Sequence, residues 1–414
     1  MAVKLPKLSK KVLTILIAAA AILLIIAIVS VIAALVSDTN RLRYEIITQE
    51  YIQELEAQTP TPQYECLKPY VGTYAVVDVK DTYRGGIFAK EKLTIPSEYK
   101  GKPVSSIISL QNLQKIKELE ISEGIVNITN SAFYGCTFEK IDIPNSVTYI
   151  GTYAFKECRS LVTVALPQGI TTLPEGLFSE CRALTSVSFV NITSIGKDVF
   201  NNCTSMTLKT EGGAKYLSHN NNDYYALVAA ESADVTACTI NSETKIIATS
   251  VFADCTKLTT ATINAGVTFL PDYMFSGCTA LTSISIPNTV ETIGSRAFAN
   301  CTALTAVEFG SGLKEIGTYA FTGCSLLAKI DVPANVKTIN NYAFSGCSNL
   351  DDVTLHVGLE KLGNYIFSSC SKLESITFNG TKAQWEVINK STSWNRNATN
   401  LKTVVCSGDE IVEL

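Results

Sequence analysis

The chain has 414 residues, 46% hydrophobic and 17% charged, a balance that excludes a disordered or highly charged tail protein. Its net charge of −4 argues against nucleic acid as a partner, and its two histidines, His219 and His356, leave little material for a zinc site or a histidine-based triad. The charge is also uneven: Lys4, Lys7, Lys10 and Lys11 stand alone in residues 1–36, and the rest of the chain is acidic.

Residues 1–11 read as a basic cytoplasmic tail, and residues 12–36 form an uncharged run in which only Thr14 and Ser30 are polar. Such a run spans a hydrocarbon core of about 30 Å as a helix, the one single-segment solution that satisfies the backbone in lipid. The lysines ahead of it place the N-terminus inside and the remainder outside. A cleaved signal peptide is the rival reading, since Val31-Ile32-Ala33 resembles a cleavage site, but the run exceeds the usual apolar length of one. Residues 37–63 are expected to form a helical stalk, Asp38 to Gln58, stopped by the Thr59-Pro60-Thr61-Pro62 linker. Residues 64–115 read as an N-terminal β cap, with alternation at Tyr74 to Val79.

Residues 116–378 are repetitive. Phe-x-x-Cys occurs ten times, from Phe133/Cys136 to Phe367/Cys370, and the phenylalanines lie 22 or 23 residues apart except for one gap of 52. A period of this length means a solenoid of leucine-rich type. In one unit, Ile284 and Ile286 alternate with Ser283 and Ser285 as a short strand, and Pro287 ends it. Val290 and Ile293 begin the return side, Gly294 permits a bend, and Ala297, Phe298 and Cys301 turn inward. No unit can bury these residues alone, so stacked units share one core. The expected fold is a right-handed leucine-rich repeat solenoid of α/β type, with short parallel strands, loops and short helical turns, behind one transmembrane helix. The gap of 52 holds a hairpin insert at about 207–236, turning at Asn220-Asn221-Asn222-Asp223. Residues 379–414, with Trp385 and Trp394, read as a C-terminal cap; an exposed Trp394 against a sugar face is the sharper alternative.

The pattern L-x-x-I-x-I-P-x-x-V-x-x-I-G-x-x-A-F-x-x-C resembles the BspA-type leucine-rich repeat family. That resemblance implies a surface or secreted protein, bacterial or protist, associated with adhesion and with binding host or matrix components.

The periodic cysteines read as small buried thiols, not disulfides, with Cys66, Cys238 and Cys406 outside the series. No nucleophile elbow, P-loop or metalloprotease motif is present, and no cofactor or metal is expected. The candidate binding face is the outward side of the strands: Ser283, Ser285, Glu308, Lys329, Asp331, Asp352, Thr354, Ser375 and Thr377. It is hydroxyl-rich and becomes acidic toward the C-terminus. Tyr216, Tyr224 and Tyr225 of the insert are candidate contacts, the competing reading being that they pack the hairpin. Together these features predict a single-pass plasma-membrane protein of the bacterial surface, N-terminus cytoplasmic, whose ectodomain binds an extracellular protein or glycan. The alternative is a structural spacer of the cell envelope.

Overall fold

The computed structural model of the chain describes residues 42–58, 64–79, 91–264 and 266–414. The expected tail, the apolar run 12–36 and the Thr-Pro linker lie outside the described residues. Among the described residues no helix is long and apolar enough to cross a membrane. Among the described residues two compact units emerge, one running to Ile170 and including Glu180–Val190, the other of Thr171–Ser179 with Asn191–Leu414.

The first unit starts differently from the expected stalk. Leu42–Ile46 is a strand, paired antiparallel with Tyr74–Val79. The helix covers only Gln49–Ala57, with Thr48 Oγ1 accepting from the Tyr51 amide at 3.0 Å. Ile47, Ile52, Leu67, Ala75 and Ile108 pack into one cluster beneath these elements. The reason is economy of apolar surface: a nine-residue helix is marginal alone, and burying Ile52 against the sheet stabilises both. Residues 42–58 therefore belong to the cap.

The repeats of this unit pair in parallel as two sheets. Lys92–Ile95, Glu118–Ile121, Lys140–Asp142, Thr163–Ala165 and Ser186–Ser188 form one; Lys102–Ile107, Asn127–Ile128 and Tyr149–Ile150 extend the other from Tyr74–Val79.

The second unit repeats the plan. Ser283–Ser285 pairs Ala306–Glu308, and Lys329–Asp331, Asp352–His356, Ser375–Asn379 and Thr403–Cys406 follow in parallel before an antiparallel close by Ile411–Glu413. The return side holds two-residue strands such as Thr292–Ile293, Glu315–Ile316 and Thr338–Ile339, not helices. The fold is thus a β-solenoid, and the α/β character expected from the repeat is corrected. The helical turns are replaced by a tight corner, in which the amides of Arg296, Phe298 and Asn300 donate to Thr318, Ala320 and Thr322 of the next coil. An α-helix would satisfy those groups within itself; here they join coil to coil. Gly294 is required by this closeness, since a Cβ there would lie 2.7 Å from the Asp272 amide nitrogen.

The core is one row per position. Leu281, Ile284, Ile286, Val290, Ile293, Ala297, Phe298 and Cys301 are all buried. Phe252, Phe275, Phe298, Phe321, Phe344 and Phe367 stack with centroids 5.0–5.9 Å apart, and Phe133 stacks on Phe155 at 5.4 Å in the first unit. At the C-terminus Trp385 and Trp394 meet edge to face at 5.6 Å, both buried, so Trp394 closes the core and offers no open ring to a sugar.

Candidate functional site

The parallel ladder sets the strand face. Because side chains alternate, Ile284 points inward and Ser283 and Ser285 outward, and register lays Ser283 beside Ala306 and Ser285 beside Glu308. Further along, Lys329 sits beside Asp352, Asp331 beside Thr354, and Thr354 beside Thr377. Ser375 is in register with Thr403. The structure therefore brings the predicted face residues onto one side of the second unit. It also couples them in a way that residue spacing alone does not reveal. Lys329 Nζ meets Asp352 Oδ2 at 2.8 Å, and Asp331 Oδ1 meets His356 Nε2 at 2.7 Å. Asn379 Nδ2 lies 3.4 Å from His356 Nδ1. These links cross from coil to coil and hold the side chains in place, and Lys329 offsets part of the acidity. Exposed pairs of this kind contribute little stability; their effect is on the pattern presented.

The insert folds as Lys209–Glu211, Ala214–His219 and Asn222–Ala230, antiparallel, and then runs parallel to Ile246–Ile247. Asn220 and Asn221 turn at positive φ, as their side chains tolerate. Tyr216 is fully buried, and its hydroxyl accepts from the Asn241 amide at 3.2 Å. It is a core residue of the insert, and its reading as a surface contact is corrected. Tyr224 packs edge-on to Tyr216 at 5.4 Å and donates to Glu211 Oε2 at 2.5 Å. That bond pushes the Tyr224 phenol up to about 12 and holds the Glu211 carboxyl below its ordinary range. Tyr225 lies against His219 at 4.8 Å. The insert also opens a cavity of about 390 Å³, lined by Phe200, Cys203, Met206, Leu208, Lys215 and Val228 among others.

The cysteines carry out a chemistry that burial alone does not require. Cys278, Cys301, Cys324, Cys347 and Cys370 each donate Sγ–H to the carbonyl of the phenylalanine one coil back, at 3.1–3.3 Å. Cys158, Cys181 and Cys203 make the same bond at 3.0–3.1 Å, and Cys136 donates to Leu110 O at 3.0 Å. Cys255 follows the insert and reaches Ser232 O only at 4.0 Å. All thirteen thiols are free, and burial raises those of the second-unit row from Cys278 to Cys370, with Cys301 and Cys370 pushed up to about 12. Among the described residues no group of three or more His, Cys, Asp or Glu is placed to hold a metal ion.

One feature of the surface was missed by residue-type reasoning. Two residues before the core phenylalanine, five successive coils place Tyr273, Arg296, Tyr319, Tyr342 and Tyr365. Tyr319, Tyr342 and Tyr365 stack with centroids 4.6 and 4.9 Å apart and planes within 7°. The Arg296 guanidinium lies between Tyr273 and Tyr319, 5.5 and 4.6 Å from their rings, and donates to Tyr273 Oη at 2.7 Å. All five have φ between 54° and 59°. A left-handed backbone costs such residues about 1–2 kcal/mol each. The signal was available as a spacing of 23 residues, but nothing in the residue types announces a positive φ.

Fold and surface together define a class: a parallel β-solenoid that repeats the same outward positions from coil to coil. The chain belongs to the family described as BspA type leucine rich repeat region, which matches residues 107–221, 229–284 and 268–395. Among solved structures, a leucine rich cell surface protein from Faecalibacterium prausnitzii is 22% identical over 78% of this chain and 94% of its own, with a TM-score of 0.36. A leucine-rich repeat protein from Bacteroides ovatus is 22% identical over 85% and 97%, with a TM-score of 0.35. One from Eubacterium ventriosum is 20% identical over 81% and 89%, with a TM-score of 0.41. Comparison with curated proteins gives no match.

Proposed function

We propose that the chain is a membrane-anchored, cell-surface binding protein that engages an extracellular protein or glycan through its repeats, without catalysis. The observation that carries this reading is the strand face of the second unit. Its outward side chains are fixed in register by the ladder and tied across coils by Lys329–Asp352 and Asp331–His356–Asn379. A preset array loses little freedom on binding, which is where weak repeated contacts otherwise fail. The anchor in this proposal is the uncharged run 12–36 behind four lysines.

The test uses cells carrying the full chain over immobilised mucin, rich in glycan, and gelatin, a bare polypeptide. Saturable binding to either, reduced about tenfold or more by Glu308→Gln with Asp331→Asn and Asp352→Asn, supports the reading. Binding that survives all three changes removes the strand face from the proposal.

A further inference from the structure

We infer that the Tyr273–Arg296–Tyr319–Tyr342–Tyr365 ladder is a self-association surface, on which a second copy of this chain docks antiparallel about a two-fold axis through Tyr319. Four observations lead there. First, the ladder is costly where it stands. Other coils fill the same left-handed position with Ser131, Gly176, Asp198 or Ser250, and one with Tyr153, so the corner itself does not need an aromatic residue. None of the five is part of the core. A strained conformation kept for side chains at the surface points to a use at the surface.

Second, the rings cover one another. Stacking at 4.6 and 4.9 Å leaves edges and hydroxyls open, so no flat platform remains between them for a sugar or a base. The hydroxyls of Tyr319, Tyr342 and Tyr365 make no hydrogen bond to the described residues. Tyrosine and arginine are also the residues that dominate protein–protein contacts.

Third, charge is sparse here. Asp272, whose carboxylate accepts from the Ser295 amide, and then Ser295, Thr318, Asn341 and Asn364 flank the ladder on one side, and Thr322 and Ser345 on the other. The strand face, with Glu308, Asp331, Asp352 and Glu374, would repel its own copy; this strip would not.

Fourth, pitch selects the partner. An extended peptide repeats a side every ~6.7 Å and a helix every ~5.4 Å, so either drifts out of step over five rungs spaced like neighbouring strands, about 4.8 Å apart. A second copy has the same pitch. Antiparallel pairing sets Tyr273 against Tyr365, Arg296 against Tyr342 and Tyr319 against itself. Parallel pairing would oppose two Arg296 side chains. The antiparallel arrangement is also isologous, the commonest closed symmetry.

Cysteine cross-linking of the full chain in detergent micelles tests this. The native thiols are buried, apart from the half-exposed Cys66, and the parent chain gives their background. Tyr319→Cys alone is expected to form disulfide-linked dimer under mild copper–phenanthroline oxidation about tenfold faster than Thr377→Cys on the strand face. Arg296→Cys and Tyr342→Cys are each expected to stay at background alone and to cross-link when mixed. Tyr319→Ser with Tyr342→Ser, which keep a residue type the corner already accepts, are expected to weaken self-association in sedimentation by about tenfold or more. Cross-linking of Tyr319→Cys no faster than Thr377→Cys overturns the inference. So does rapid cross-linking of Arg296→Cys by itself, or sedimentation unchanged by the serine pair.

Discussion

Cysteine at the closing corner of each coil acts as a donor as well as a small apolar filler. Alanine there would remove volume and leave the phenylalanine carbonyl of the previous coil without its partner. Cys324, which donates to Phe298 O at 3.2 Å, should lose about 2–3 kcal/mol on Cys324→Ala. Cys255, whose contact is 4.0 Å, should lose about 1 kcal/mol less. Urea unfolding of the two variants checks the difference, and equal losses would show that the thiol only fills space. The same thiols set a pH dependence. Cys301 and Cys370 ordinarily titrate near 9.0 and are pushed up to about 12 in the fold, so the folded chain holds protons that the unfolded chain gives up. Their contribution is complete below about pH 9 and is lost as pH rises from there toward 12. The unfolding midpoint should fall through that window; a midpoint that rises in it would contradict buried thiols.

At the scale of elements, the insert and the N-terminal segment show where sequence patterns mislead. Tyr216 and Tyr224 look alike in an alternating run, yet they sit on opposite sides of the question. Tyr216→Ala empties a fully buried site and should cost about 3–5 kcal/mol. Tyr224→Phe removes one solvent-exposed bond, to Glu211, and should leave the melting temperature close to that of the parent chain. Thermal melts of both variants check this; a stable Tyr216→Ala chain would return that residue to the surface. The strand Leu42–Ile46 was hidden for another reason. Its partner is Tyr74–Val79, and pairing across so long a separation leaves no local mark. The repeat strands, by contrast, were legible because each copy restates Ile284 and Ile286 with Phe298 and Cys301 at fixed offsets. The predicted face was legible through the same alternation, while the Asp331–His356–Asn379 chain was not, because it joins residues about one coil apart. The tyrosine ladder shared the visible period, but its meaning lies in a backbone angle that residue names do not encode.

At the scale of the whole molecule, stability and display come from the same repetition. Each coil contributes Phe and Cys to shared rows inside and a strand position and a corner position outside. Neighbouring coils therefore fix each other's surface side chains, which suits a protein that binds by presenting an array. That reading needs the array to face outward from the cell. A tag at the C-terminus, with protease added to intact cells, tests this most directly. Loss of the tag, with an N-terminal fragment left in the membrane, is the expected result. A tag fully protected on membrane-bound protein would contradict it.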